Sequence, residues 1–176
     1  MLNRRQLRIK AMEVIYAFDK SIDKDINHQL NYFLISNKNF YKLYISSFAL
    51  FNQIHLFATG LHHKNKKKFL KNTSEISLEK ISNNYILKKI SSDQTLLDQI
   101  KKLKINYWVD YPEQMNSVWK SIKESELMIN YSDGSKNTFE EDKIFLVNLF
   151  KKIIAPNPKL FDFYEDTEIS WANDYP

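Results

Sequence analysis

The 176-residue chain contains no cysteine, which excludes disulfides, thiolate zinc sites and cysteine nucleophiles. Two glycines and four prolines leave few tight turns, and this favours helices joined by polar loops. No apolar run approaches the ~20 residues of a membrane-spanning helix, and no signal-peptide pattern opens the chain. A reducing cytoplasm fits these absences. With 43% hydrophobic residues, the chain can nevertheless build a core of its own.

Residue patterns that carry catalysis are missing as well. The four histidines do not combine with carboxylates at metal-ligand spacing, and two glycines cannot form a phosphate-binding loop. No serine or threonine has a histidine partner at a telling spacing. The acidic run at residues 140–142 lies in a predicted first helical turn, where acids favour the helix dipole. We therefore expect a protein that is not an enzyme and uses no cofactor or metal.

Positive charge is unevenly spread along the chain. The formal net charge is +5, and residues 138–176 hold 8 acidic and 4 basic residues, so residues 1–137 carry +9. Residues 64–71 alone hold five lysines and no acid. That run is either a nucleic-acid patch or a solvated helix end, where lysines also suit the dipole. A basic body of this kind suits an anionic partner.

The predicted first helix, over residues 3–18, begins with Arg4, Arg5, Arg8 and Lys10. A helix N-terminus is already positive because of its dipole, so each cation there costs about 0.3–1 kcal/mol. The placement makes sense where these side chains meet an anion with many oxygens, such as a nucleic-acid backbone. The alternative is a solvated basic start to an ordinary core helix, and charge alone does not decide between the two.

The rest of this helix is predicted to be amphipathic. Its apolar face comprises Leu7, Ala11, Val14, Ile15 and Phe18. A neighbouring stripe comprises Arg5, Met12 and Tyr16, and the residues predicted to face water are Gln6, Lys10 and Glu13. A long helical pattern over residues 26–67, interrupted near Asn37–Asn39, is the predicted packing partner.

Helix starts recur in the remainder of the chain. Asp93 is a predicted N-cap, Pro112 opens a helix, and Thr138 forms a capping box with Glu141. Asp133–Gly134 marks a turn. The fold class predicted from these patterns is all-α, in the form of a helical bundle.

Two blocks, together about a third of the chain, follow a pattern known from one family. The first is Arg4-Arg5-x-x-Arg8-x-x-Ala11 followed by Ile15-Tyr16-x-Phe18, and the second is Asp142-x-x-Phe145-x-x-x-Leu149 followed by Asn157-x-x-Leu160. These blocks resemble the NusB transcription antitermination factors. The resemblance implies a NusB-like helical region of residues 1–60 and 138–176, with a helical insertion of residues 61–137.

The family's carboxy-terminal helical half has no counterpart in this sequence. We therefore expect Trp171 and Tyr175 to lack the surface that they would normally cover, to form an exposed apolar patch, and to promote self-association. The alternative is that Trp171 folds back onto the helix predicted to begin at Thr138 and closes the core.

Resemblance to NusB also implies a function and partners. It implies an adaptor that binds the boxA segment of nascent ribosomal RNA together with ribosomal protein NusE and helps RNA polymerase resist termination. Arg4, Arg5, Arg8 and Lys10 are the expected RNA contacts. Tyr16 is the expected contact for the protein partner, or else a half-buried aromatic of the second stripe. The rival hypothesis is a helical protein–protein interaction module without RNA binding, whose basic helix tip docks an acidic protein surface.

Overall fold

Helices joined by short polar turns make up the structure, a computed structural model that describes residues 4–65, 73–133, 138–168 and Trp171. Within these residues there is no strand, and the predicted all-α fold is confirmed. The helices are α1 (Arg4–Lys20), α2 (Ile26–Asn65), α3 (Thr73–Asn83), α4 (Tyr85–Ser92), α5 (Gln94–Lys102), α6 (Tyr107–Asp110), α7 (Pro112–Lys123), α8 (Glu126–Asp133), α9 (Phe139–Leu149), extended by a π-helical turn (Phe150–Ile154), and α10 (Pro158–Thr167).

The described residues divide into two compact units, one of residues 4–44, 162–168 and Trp171 and the other of residues 45–65, 73–133 and 138–161. Helix α2 contributes its first part to the first unit and its second part to the other. Within the second unit, α9 packs against α4 and α8, and α3 packs against α8. Residues 138–161 pack with helices of residues 61–137 in the second unit, and the predicted boundaries at residues 60 and 138 stay a prediction.

The predicted helix starts are confirmed. Oδ1 of Asp93 accepts the backbone N–H of Leu96 at 3.0 Å, and Pro112 is the first residue of α7. Thr138 and Glu141 form a reciprocal capping box at the start of α9. Each of these signals is local, since the cap and the N–H groups that it satisfies lie within one helical turn. The turn predicted at Asp133–Gly134 ends outside the described residues.

The predicted interruption near Asn37–Asn39 is wrong, because α2 runs without a break over this segment. Asparagine costs a helix interior less than about 0.7 kcal/mol relative to alanine, which tertiary contacts readily offset. One such contact is a hydrogen bond in which the carbonyl of Asn39 accepts the indole N–H of Trp171 at 2.7 Å.

Trp171 is fully buried, so the exposed aromatic patch expected at this residue is wrong. Its ring meets the ring of Tyr164 edge-on, with centroids 5.4 Å apart, and Nζ of Lys42 lies 5.8 Å from its centroid. The tryptophan therefore folds back onto residues of α2 and α10 in the first unit, and not onto the helix beginning at Thr138. Tyr175 lies outside the described residues.

Helix α1 and the first turns of α2 form a helical hairpin. Asp25 caps α2 by accepting the N–H groups of Asn27 and His28, at 2.8 and 3.2 Å. Ala11, Val14 and Phe18 are partly buried, as their predicted place on the apolar face requires. The other two members of that predicted face, Leu7 and Ile15, are exposed, so the hairpin leaves part of its apolar face uncovered.

Candidate nucleic-acid interface

Arg4, Arg5 and Arg8 are exposed in the first two turns of α1, and the first turn holds no acidic residue. Together with Ile9, Met12 and Glu13 they border a depression in the surface of the helix, and no ion pair between Glu13 and an arginine occurs in the described residues. Nothing in the described part of the chain pairs an acidic side chain with these arginines. The guanidinium groups are thus free to donate hydrogen bonds to an external anion.

An exposed aromatic residue continues this surface. Tyr16 exposes 66% of its area, so the alternative prediction of a half-buried aromatic is wrong. Nζ of Lys20 lies 5.7 Å from the centre of its ring. Since Arg5, Met12 and Tyr16 recur at helical spacing, Tyr16 lies on the arginine-bearing side of α1, about 16 Å along the helix from Arg5. We call this surface, defined by Arg4, Arg5, Arg8 and Tyr16, the arginine–tyrosine face.

Lys10 does not belong to this face. It lies about 140° around the helix from Arg5 and is only 5% exposed, so the prediction that it faces water is wrong. Its side chain is engaged within the protein. An ammonium group that is enclosed in this way cannot meet a phosphate on the surface, and the predicted RNA contact at Lys10 loses its geometric basis.

The second predicted patch of positive charge is only partly described. Lys64 is exposed in the last turn of α2, where a cation favours the helix dipole. The lysines at positions 66–68 and 71 lie outside the described residues, so the nucleic-acid interpretation of this run stays a prediction.

Sequence reasoning missed a buried polar cluster in the second unit. The hydroxyl of Tyr131 donates to Oδ1 of Asp142 at 2.5 Å, and the N–H of Tyr85 donates to Oδ2 at 2.7 Å. Nδ2 of Asn84 donates to the Tyr131 hydroxyl at 3.1 Å. Asp142 and Asn84 are fully buried. Burial and the hydrogen bond to Asp142 raise the pKa of Tyr131 well above its usual range.

A lysine completes this cluster. Nζ of Lys80 donates to the backbone carbonyl of Tyr131 at 2.5 Å and lies 4.9 Å from the centre of its ring. The Tyr131 ring also stacks on the ring of Phe145, with centroids 3.9 Å apart. Asp142 accepts a hydrogen bond on each oxygen and Asn84 uses both its oxygen and its nitrogen, so the cluster ties together α3, α4, α8 and α9. We assign it to stability. Asp142 therefore accepts hydrogen bonds from two other helices in addition to the predicted interaction with the helix dipole.

The side chain of His55 holds two segments of the second unit together through hydrogen bonds. Nδ1 of His55 lies 2.8 Å from Oγ of Ser91, and Nε2 lies 3.1 Å from the carbonyl oxygen of Ser82. Burial lowers the pKa of His55, while the hydrogen bond to Ser82 opposes this shift. Across the described ranges, no three His, Asp or Glu side chains are grouped so that they could hold a metal ion.

Two further findings concern membrane-spanning helices and similarity to known proteins. None of the helices in the described residues combines the length and the apolar character that crossing a membrane requires. In comparisons with known proteins, no family model, no curated protein and no solved structure matches this chain.

Proposed function

We propose that this protein is a cytoplasmic RNA-binding factor of the NusB type, which binds single-stranded boxA-like RNA and acts in transcription antitermination with NusE and RNA polymerase. One observation carries the proposal: three arginines stand exposed at the positive end of α1, without acidic partners among the described residues. A helix that needed only to fold would place acids there. Arginine at this position is favourable when an oxygen-rich anion supplies the missing negative charge.

The resemblance assigns different partners to the two ends of the arginine–tyrosine face. Arg4, Arg5 and Arg8 contact the RNA, where phosphate pairing combines with hydrogen bonds to unpaired bases. Tyr16 contacts NusE, and its exposure leaves the ring and the hydroxyl available for a protein partner. Lys10 has no part in this proposal because it is buried.

Binding of a fluorescently labelled boxA-like RNA to the whole chain tests the RNA interface. Replacing Arg5 and Arg8 by Glu removes two cations and adds two anions. We expect affinity to fall at least about a hundredfold, since each 1.4 kcal/mol is a factor of ten. Two lost phosphate contacts should also lower the slope of log affinity against log salt by about 1.4.

The matched control is Lys101→Glu with Lys102→Glu, which makes the same change of charge at two exposed positions of α5. The control should retain most of the RNA affinity. If it loses as much as the arginine variant, binding depends on net charge and not on α1. If the arginine variant binds RNA as the natural chain does, the proposed interface is wrong.

Competition separates RNA binding from the rival function, a protein–protein interaction module without an RNA role. An unlabelled boxA-like strand should displace the labelled RNA at lower concentration than either heparin or a scrambled strand of the same length. Equal displacement by heparin would indicate a general anion surface and favour the rival. Salt dependence alone cannot distinguish the two, since both interactions are electrostatic.

A further inference from the structure

The second unit brings together a serine and a histidine that lie 36 positions apart in the chain. Nδ1 of His55, in α2, lies 2.8 Å from Oγ of Ser91, in the last turn of α4. Nε2 of the same ring lies 3.1 Å from the carbonyl oxygen of Ser82. The side chains of His55 and Ser91 are half-buried, so the pair is not sealed from solvent.

These hydrogen bonds fix which ring nitrogen of His55 carries the proton. A carbonyl oxygen can only accept, so Nε2 of the neutral ring carries the proton and donates it to Ser82. Nδ1 then has a free lone pair, and the hydroxyl of Ser91 donates to it. Burial lowers the pKa of His55, the hydrogen bond to Ser82 opposes this shift, and the charge of Lys88 adds to it. His55 is therefore placed as a general base for the Ser91 hydroxyl.

The direction of the Ser91 hydroxyl differs from that of its neighbour. Serine in a helix commonly donates to a backbone carbonyl of its own helix. Ser92 does so, since its hydroxyl donates to the carbonyl of Lys89 at 3.2 Å. Ser91 instead reaches the imidazole of another helix. A hydroxyl on one ring nitrogen, with an acceptor that orients the other, is the arrangement of an activated serine nucleophile.

Lys88 places a positive charge near this pair. It lies one helical turn before Ser91 on α4, and its charge is close enough to act on the pKa of His55. Nζ of Lys88 donates to Oδ1 of Asn83 at 2.9 Å. Because an ammonium group has three N–H bonds, two of them remain for another acceptor. A cation beside a nucleophile stabilises the negative charge that develops on an attacked carbonyl oxygen.

We propose that Ser91, His55 and Lys88 form an acyl-transfer site that hydrolyses carboxylic esters. Oγ of Ser91 attacks the carbonyl carbon while its proton passes to Nδ1 of His55, and Lys88 stabilises the oxygen that becomes negative. The bond to the alcohol then breaks, the alcohol oxygen takes the proton from Nδ1, and the acyl group stays on Ser91. Water attacks this acyl group and gives a proton to Nδ1. The Ser91 oxygen leaves with that proton, and the carboxylic acid is released.

Esters are the substrate class that this arrangement suits best, because an alcohol leaves more readily than an amine and needs less stabilisation. The sequence predicts no enzyme because the two residues are far apart along the chain, whereas the fold places them at hydrogen-bond distance. The inference does not depend on RNA binding. Its residues belong to the second unit, whereas the arginine–tyrosine face belongs to α1 in the first.

A fluorophosphonate probe, applied to the whole chain, tests the proposed nucleophile. An activated serine displaces fluoride from this reagent and keeps the phosphorus as a stable ester, which mass spectrometry of peptides locates. We expect one adduct, on Ser91, and its loss in Ser91→Ala. His55→Gln should slow labelling at least about a hundredfold, which is the usual contribution of a general base. Labelling of the natural chain decides by itself if His55→Gln fails to fold.

Ser92→Ala is the matched control, because it removes the neighbouring hydroxyl, which has no bond to histidine. It should be labelled at the natural rate. Hydrolysis of p-nitrophenyl acetate by the natural chain should exceed that by Ser91→Ala at least about tenfold, with equal affinity of both for the boxA-like RNA. The proposal is overturned if Ser91 takes no label, if Ser92 takes it instead, or if folded His55→Gln is labelled at the natural rate. The hydrogen bond would then serve packing alone.

Discussion

The side chains of Tyr131 and Asp142 are joined by a 2.5 Å hydrogen bond in the interior of the second unit. Tyr131 comes from α8 and Asp142 from the first turn of α9, so the bond joins two consecutive helices. Asn84 and the N–H of Tyr85 approach from the α3–α4 junction and occupy the remaining positions around the pair. A buried carboxylate is tolerated here because each of its oxygens accepts a hydrogen bond.

Tyr131→Phe should destabilise the protein by about 1–3 kcal/mol, because the change leaves a buried carboxylate with one partner fewer. Urea unfolding followed by circular dichroism measures this difference. Glu140→Gln, at an exposed position of the same helix, is the control and should stay within about 0.5 kcal/mol of the natural chain. A Tyr131→Phe variant as stable as the natural protein would show that the hydrogen bond contributes nothing.

The same tyrosine predicts a dependence of stability on pH. The pKa of Tyr131 is raised in the folded protein, whereas an unfolded tyrosine titrates near ~10. The folded state therefore holds this proton more tightly, and its contribution is complete below about pH 10. As pH rises above that value, the unfolded chain loses the proton first and the free energy of unfolding falls.

Because other tyrosines and lysines titrate in the same range, the informative quantity is a difference. Tyr131→Phe has no proton to hold at this position, so its stability should fall less steeply than that of the natural chain between about pH 9 and pH 11. Parallel urea titrations at these pH values provide the measurement. Identical pH profiles would contradict a raised pKa at Tyr131.

Burial of Trp171 gives a third prediction. Trp171→Ala should destabilise the first unit by about 3–5 kcal/mol, as expected for truncation of a fully buried aromatic side chain. Tyr111→Ala, at an exposed aromatic residue, is the control and should have little effect on melting. In a variant that lacks Trp108 and Trp119, the fluorescence of Trp171 should be shielded from iodide. Strong quenching would contradict its packing against Tyr164.

Local signals in the sequence predicted the helices well, and long-range contacts account for the errors. The caps at Asp93 and Thr138 act within one turn, so a single sequence suffices to find them. The hydrogen bond from Trp171 to Asn39 joins residues 132 positions apart, and no local sequence pattern around either residue predicts it. Lys10 fits a solvated helix position by spacing alone, and its burial depends on tertiary packing.

In the candidate interface, too, local features were predictable from the sequence and features that depend on tertiary packing were not. Exposure of Arg4, Arg5 and Arg8 was predictable because unpaired charge stays in water. Exposure of Ile15 was not, since helical spacing identifies an apolar face without showing whether another element covers it. The position of Asp142 in the chain predicts only a helix-dipole role, whereas in the structure Tyr131 and the N–H of Tyr85 donate hydrogen bonds to its carboxylate.

Tyr16 provides a prediction that separates the two partners of the proposed function. Tyr16→Ala should weaken binding of NusE to the chain by about tenfold or more, because an exposed tyrosine that becomes buried in an interface is a common hot spot. Affinity for the boxA-like RNA should change much less, since Arg5 and Arg8 remain in place. Isothermal titration with each partner alone gives both affinities.

Tyr85→Ala serves as the control for Tyr16→Ala, because Tyr85 is exposed to a similar degree but lies in the second unit. It should leave both affinities near their natural values, since the change keeps the Tyr85 N–H that donates to Asp142. Loss of RNA affinity in Tyr16→Ala with NusE binding intact would instead assign the ring to base stacking, which contributes about 1–3 kcal/mol per base. Retention of both affinities would remove Tyr16 from the interface and leave the arginines as its only proposed contacts.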